Sequence, residues 1–222
     1  MWHRIAFKAL AATAIAASLS ACNLVVTTEP TFLAEDQATP ALREGLWVNQ
    51  KTGCDFDLKA PATSWPECAN WIVVKGSAMT GVDEKGETFS APFVLAAGDP
   101  RVLQFRVEDD ADSKQAEDGK PAAIYLYMGM RPLEFDTAGR IVAYSGWVVQ
   151  CGPPPPADAK RADGNPRYGS LTPAPGMIMD DDQSGCAPES KAALIGAARL
   201  SEVYETGADK TDVSRWVRDG DK

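Results

Sequence analysis

The sequence predicts a mainly β domain, an antiparallel meander forming a partly open barrel or a sandwich, with one C-terminal helix. Three observations carry this expectation. Apolar and polar residues alternate with period two in successive runs between Gly45 and Gln150. Turns bearing Gly, Pro or Asp separate those runs, and a single stretch with helical spacing follows Pro188.

The first strand is expected at Gly45-Leu46-Trp47-Val48 and the next from Trp71 to Lys75. Phe89, Ala91, Phe93 and Leu95 then alternate with Thr88, Ser90, Pro92 and Val94, and Pro92 within that run suggests an edge strand or a bulge. Leu103, Phe105 and Val107 oppose Gln104, Arg106 and Glu108, while Ile124, Leu126, Met128 and Met130 oppose Tyr125, Tyr127 and Arg131. Asp136-Thr137-Ala138-Gly139-Arg140 reads as a turn between Phe135 and a last run from Ile141 to Gln150. Gly98-Asp99-Pro100 and Asp83-Glu84-Lys85-Gly86 read as tight turns, and residues 109–120 as an acidic loop. Residues 152–175 form a Pro-rich excursion without room for regular structure. Pro188 and Glu189 open the helix, with Ala193, Ala197, Leu200 and Tyr204 on one face and Gly207 past its end.

The chain therefore divides into a leader (1–21), a flexible linker (22–43) and one β-rich domain (44–222). The leader has a basic start with Arg4 and Lys8, an apolar run from Ala9 to Leu19, and small residues at its end. That run falls short of the roughly 20 residues a bilayer span requires. Leu19-Ser20-Ala21-Cys22 resembles the lipobox of bacterial lipoproteins. The resemblance covers the leader only. It implies cleavage before Cys22, lipid attachment to its thiol, and acylation of the new amino group, giving a multiply acylated membrane anchor. Asn23 stands where enteric bacteria place an aspartate for inner-membrane retention, so the resemblance points to the periplasmic face of the outer membrane.

Losing residues 1–21 removes two basic residues and no acids, so 20 Lys+Arg would face 31 Asp+Glu and the net charge would move from −9 to −11. An acidic chain of this kind argues against nucleic acid or anionic lipid headgroups as partners, since both require a positive footprint. With Cys22 committed to lipid, Cys54, Cys68, Cys151 and Cys186 remain, an even number in an oxidising compartment. Three pairings are open. Neighbours in sequence, Cys54 with Cys68 and Cys151 with Cys186, close the shortest loops. No pair has the CxxC spacing of a metal site.

The sole histidine, His3, leaves with the leader. The remaining chain then holds no Ser-His-Asp or Cys-His machinery and no His-ligated metal or haem. Catalysis would have to rest on carboxylates, lysine, tyrosine or serine, as in a carboxylate-dependent glycan hydrolase of the envelope. Asp55, Asp57, Glu134 and the Glu108–Asp112 cluster supply acids, but no spacing marks an acid–base pair. Asp180, Asp182 and Ser184 match the start of an EF-hand calcium loop, with Gly185 at its turn; the twelfth position is Lys191 where a bidentate Glu is needed. An acidic solvated turn explains the same residues.

Among the tryptophans, Trp47, Trp71 and Trp147 lie in strand-like runs and are expected in the core. Trp65, between Ser64 and Pro66, is the candidate for contact with a glycan or protein, and Trp216 could lock the C-terminal tail onto the domain. The expected function is non-catalytic: a lipid-anchored protein binding another envelope protein, a glycan or a small apolar ligand, with calcium as the only candidate cofactor.

Overall fold

The computed structural model describes residues 23–50, 53–82, 88–108, 123–156, 158–160, 164, 169–180, 185–204 and 213–220. Seven strands follow one another as a meander: β2 (Gly45–Gln50), β3 (Ala69–Lys75), β4 (Ala78–Val82), β5 (Thr88–Ala96), β6 (Arg101–Glu108), β7 (Ala123–Phe135) and β8 (Ile141–Val148), after a short β1 (Val26–Thr27). A hairpin of β9 (Met177–Met179) and β10 (Cys186–Pro188) leads into helix α1 (Lys191–Tyr204), and β11 (Val213–Arg218) ends the chain's regular structure. The spatial order is β7-β6-β5-β4-β3-β2-β11-β8, with β8 pairing back onto β7. All these pairings are antiparallel, so the eight strands close into a barrel and the sandwich alternative falls away.

β11 was legible only as a tail. Its interior positions are Ser214 and Trp216, which sit opposite Asn49 and Trp47 of β2. One apolar and one hydroxyl residue facing inward leave too little contrast to mark a strand. It is nonetheless the strand that removes the free edges of β2 and β8.

Closure also changes the meaning of Pro92. It pairs with Ala78 of β4, and β5 is flanked by strands on both sides, so this is not an edge strand. Phe93 N–H points toward β4, where it meets Ser77 O at 2.8 Å. Pro92 nitrogen therefore faces β6, and the β5–β6 ladder begins only at Phe93.

Two layers of apolar packing follow from the period-two alternation. Trp47, Val74, Met79, Leu95, Leu103, Met130 and Ile141 fill the interior toward one end. The opposite parity builds a second core outside the barrel wall, where Ala96, Val102, Tyr127 and Val149 meet Leu194, Ala197 and Ala198 of α1. The helix thus buries Leu194, Ala197, Ala198 and Ser201, a face rotated from the expected one, while Leu200 stays exposed. The rotation is set by the barrel's outer wall: Trp147 Nε1 donates to Ala198 O at 2.7 Å, and Ser201 Oγ accepts Gln150 N–H at 2.8 Å. Gly129 makes room for the Trp147 ring, since a Cβ there would collide with it.

The expectation of a flexible linker over 22–43 is overturned for its described residues. Val25, Phe32, Ala38 and Leu42 are buried. β1 extends the sheet along β7, with Val26 opposite Leu126. Residues 39–43 cross one barrel end: Ile141 N–H donates to Ala41 O, Arg43 N–H donates to Ile141 O, and Arg101 donates to the carbonyls of Thr39 and Pro40. Mixed Thr, Pro and charge without periodicity reads as a tether, because a segment that wraps a barrel buries single residues and not a face.

Candidate functional site

One end of the barrel is packed and covered, and toward the other the interior residues of the described strands are half-buried. At the closed end lie the turns 76–77, 97–100 and 136–140, the crossing segment 39–43, and fully buried interior residues such as Val74, Leu95 and Ile141. Arg43 covers this end: its guanidinium sits 3.4 Å over the Trp216 ring and reaches Asp219 at 3.2 Å.

Toward the other end, residues on the same interior face become half-buried. Cross-strand pairs share a face, which places Asn49 with Asn70 and Ser214, Gly81 with Phe89, Val107 with Ile124, and Met128 with Val148. Each of these except Gly81 retains partial exposure although its side chain points into the barrel. Phe89 lies over Gly81, whose missing side chain makes the space: a Cβ there would stand 2.7 Å from the ring.

The lining is apolar with one polar seam. Phe89, Phe105, Leu126 and Met128 supply the apolar wall. Tyr144 lies deeper, its ring 5.5 Å from Trp47, with its hydroxyl bonded to Ser214. Burial pushes the Tyr144 hydroxyl above its ordinary value, against the opposing effect of the Ser214 bond. Asn49 Nδ2 stands 3.5 Å from Ser214 Oγ, a weak contact, and Asn49 Oδ1 is buried without a hydrogen-bond partner among the described residues. An unpaired buried acceptor costs free energy until a donor reaches it. Neither Asp nor Glu faces the lumen among the described strand residues. Glu134 pairs instead with Arg215 outside the wall, and Glu202 and Asp99 bind Arg131.

The residues singled out in the sequence are placed elsewhere. Cys54 is joined to Cys68, and Cys151 to Cys186, the pairing that joins sequence neighbours. Trp65 is half-buried in the first of these loops, where its indole N–H donates to Asp57 O at 3.0 Å and its ring packs on Phe56 at 4.8 Å. There it helps pack the loop against Val48 and Val217. Asp180 flanks the β9–β10 hairpin, its N–H donating to Gly185 O at 3.0 Å. The segment proposed as a calcium loop from Asp180 to Gly185 connects strands β9 and β10. Asp182 and Ser184 lie outside the described residues, as do Cys22 and the acidic loop. The inward-facing Asn49, Ser214 and Tyr144 were missed as a group because alternation marks which residues face inward and is silent on which strands stand beside one another.

The fold defines a class: a closed up-and-down β-barrel with a helix on its wall. Compared with protein-family models, with curated proteins and with solved structures, the chain matches none.

Proposed function

We propose that the chain is a lipid-anchored extracytoplasmic protein, acylated on Cys22, that holds a small apolar ligand in its barrel lumen and performs no chemistry on it. The observation that supports the binding role is the half-buried apolar face that Phe89, Leu126 and Met128 present to the interior of the closed barrel. The orphaned Asn49 Oδ1 favours a ligand that brings one hydrogen-bond donor, such as a hydroxyl. Two disulfides support an oxidising compartment, in keeping with the lipobox. The expected address is the periplasmic face of the outer membrane.

Titration with a fluorescent naphthylamine probe tests the lumen. Saturable binding is expected, weakened at least tenfold by Met128→Glu, which would place a charge on the apolar wall. Binding that is absent, or indifferent to Met128→Glu, overturns the reading. Cys22→Ser should release the protein from membranes, and retention of that variant would remove the anchor from the proposal.

A further inference from the structure

Residue 23 is not at the start of a tether; it is inside the fold. Asn23 is 3% exposed. Its Nδ2 donates to Gln150 Oε1 at 3.1 Å and to Gly152 O at 2.9 Å, and its Oδ1 accepts Ser170 N–H at 3.0 Å. Its carbonyl accepts Cys151 N–H at 2.8 Å, and Val25, two residues on, donates to Val149 O at 3.0 Å. Aspartate at position 23 could not make the two donations, which gives the asparagine a structural reason independent of sorting.

The residue before Asn23 lies one peptide unit away, about 3.8 Å between Cα atoms. We infer that Cys22 seats the barrel directly on the bilayer with no intervening tether, through the surface that surrounds Asn23; this rests on the reading that Cys22 is acylated. That surface suits lipid. Gly152 packs against Ser170 and Thr172, and Ala174 N–H donates to Cys151 O, so segments 151–154 and 170–174 form one patch beside Asn23. Its exposed members include Pro153, Pro154, Leu171 and Pro173, with Leu171 56% exposed. An exposed apolar residue held rigidly beside a lipid attachment point has the headgroup boundary as its partner. A disordered linker would have let the domain tumble; a buried Asn23 fixes which side faces the membrane.

The test places the photo-crosslinking amino acid p-benzoylphenylalanine at Leu171, or as a control at Leu133, in the full membrane-bound protein. Leu133 is also exposed but lies seven residues beyond Leu126 along β7, about 23 Å from the level where β1 docks. Mass analysis of the N-terminal peptide first establishes acylation. With Cys22 acylated, phospholipid adducts are expected at least tenfold more often at position 171 than at 133. Ten Gly/Ser residues inserted between Cys22 and Asn23 should bring the 171 yield down to the control. Equal yields at 171 and 133 in the acylated protein overturn the seating while leaving the anchor intact. An unacylated Cys22 removes the anchor and the seating together.

Discussion

Gln104 of β6 holds Phe32 by both backbone groups: its Oε1 accepts the Phe32 N–H and its Nε2 donates to the Phe32 carbonyl, each at 2.8 Å. A side chain expected to face solvent opposite Leu103 and Phe105 instead clamps the N-terminal segment to the outer wall, and is 3% exposed. Gln104→Leu leaves two backbone groups unpaired in a buried setting, each costing roughly 1–3 kcal/mol. Denaturant unfolding should show a loss of about 2–6 kcal/mol, with hydrogen exchange rising first around Phe32.

The contact between Gly129 and Trp147 should be equally intolerant. Gly129→Ala pushes a methyl into the indole and is expected to cost about 1–3 kcal/mol by overpacking. Trp147→Phe loses the bond to Ala198 O, about 1 kcal/mol, and frees space. The two changes should therefore combine to less than their sum, which a double-mutant cycle in urea would measure. Strict additivity would mean that the helix does not press the ring onto Gly129.

Removing Cys151–Cys186 as a Ser pair should cost about 4 kcal/mol, and removing Cys54–Cys68 about 3, because the first closes a separation of 35 residues and the second of 14. Calorimetry of the two variants would give the order. A reversal would mean that packing around Trp65 depends on its disulfide more than loop closure allows.

Asn49→Leu removes the orphaned acceptor in the lumen. A long-chain alcohol is expected to lose about tenfold in affinity, or roughly 1.4 kcal/mol, while its methyl ether changes little. Isothermal titration separates the two. Equal losses would assign Asn49 to the shape of the wall and not to recognition.

Tyr144 gives a pH dependence with a defined sign. Unfolded tyrosine loses its proton near pH 10, whereas burial holds the native hydroxyl protonated to higher pH. Above about pH 10 the unfolded state binds fewer protons than the native state, so stability is full below that value and falls as pH rises past it. Tyr144→Phe should flatten this alkaline decline, read as the urea midpoint between pH 9 and 11.

How much of this was legible follows from what each signal depends on. Alternation is a property of one strand, so β3, β5, β6, β7 and β8 could be read from Trp71, Phe89, Leu103, Leu126 and Trp147 and their neighbours. The turn at Asp136–Arg140 was equally local, with Gly139 at φ 76° and its N–H on Asp136 O. β11 was not legible, because Ser214 becomes an inward residue only when Asn49 and Tyr144 stand on either side of it. The helix face was misjudged by one position, since Ser201 lies buried against the wall, where its Oγ accepts Gln150 N–H.

By itself the sequence determined the class of the domain, the strand pattern and the composition of the wall, because these rest on period, turn chemistry and residue type. Only the tertiary structure decided that the meander closes, which end of the barrel is covered by residues 39–43, and that Asn23 through Arg43 belong to the fold. Those outcomes depend on single contacts between residues far apart in sequence, Asn23 with Ser170, Phe32 with Gln104 and Trp47 with Trp216, and no local pattern encodes a partner more than 70 residues away.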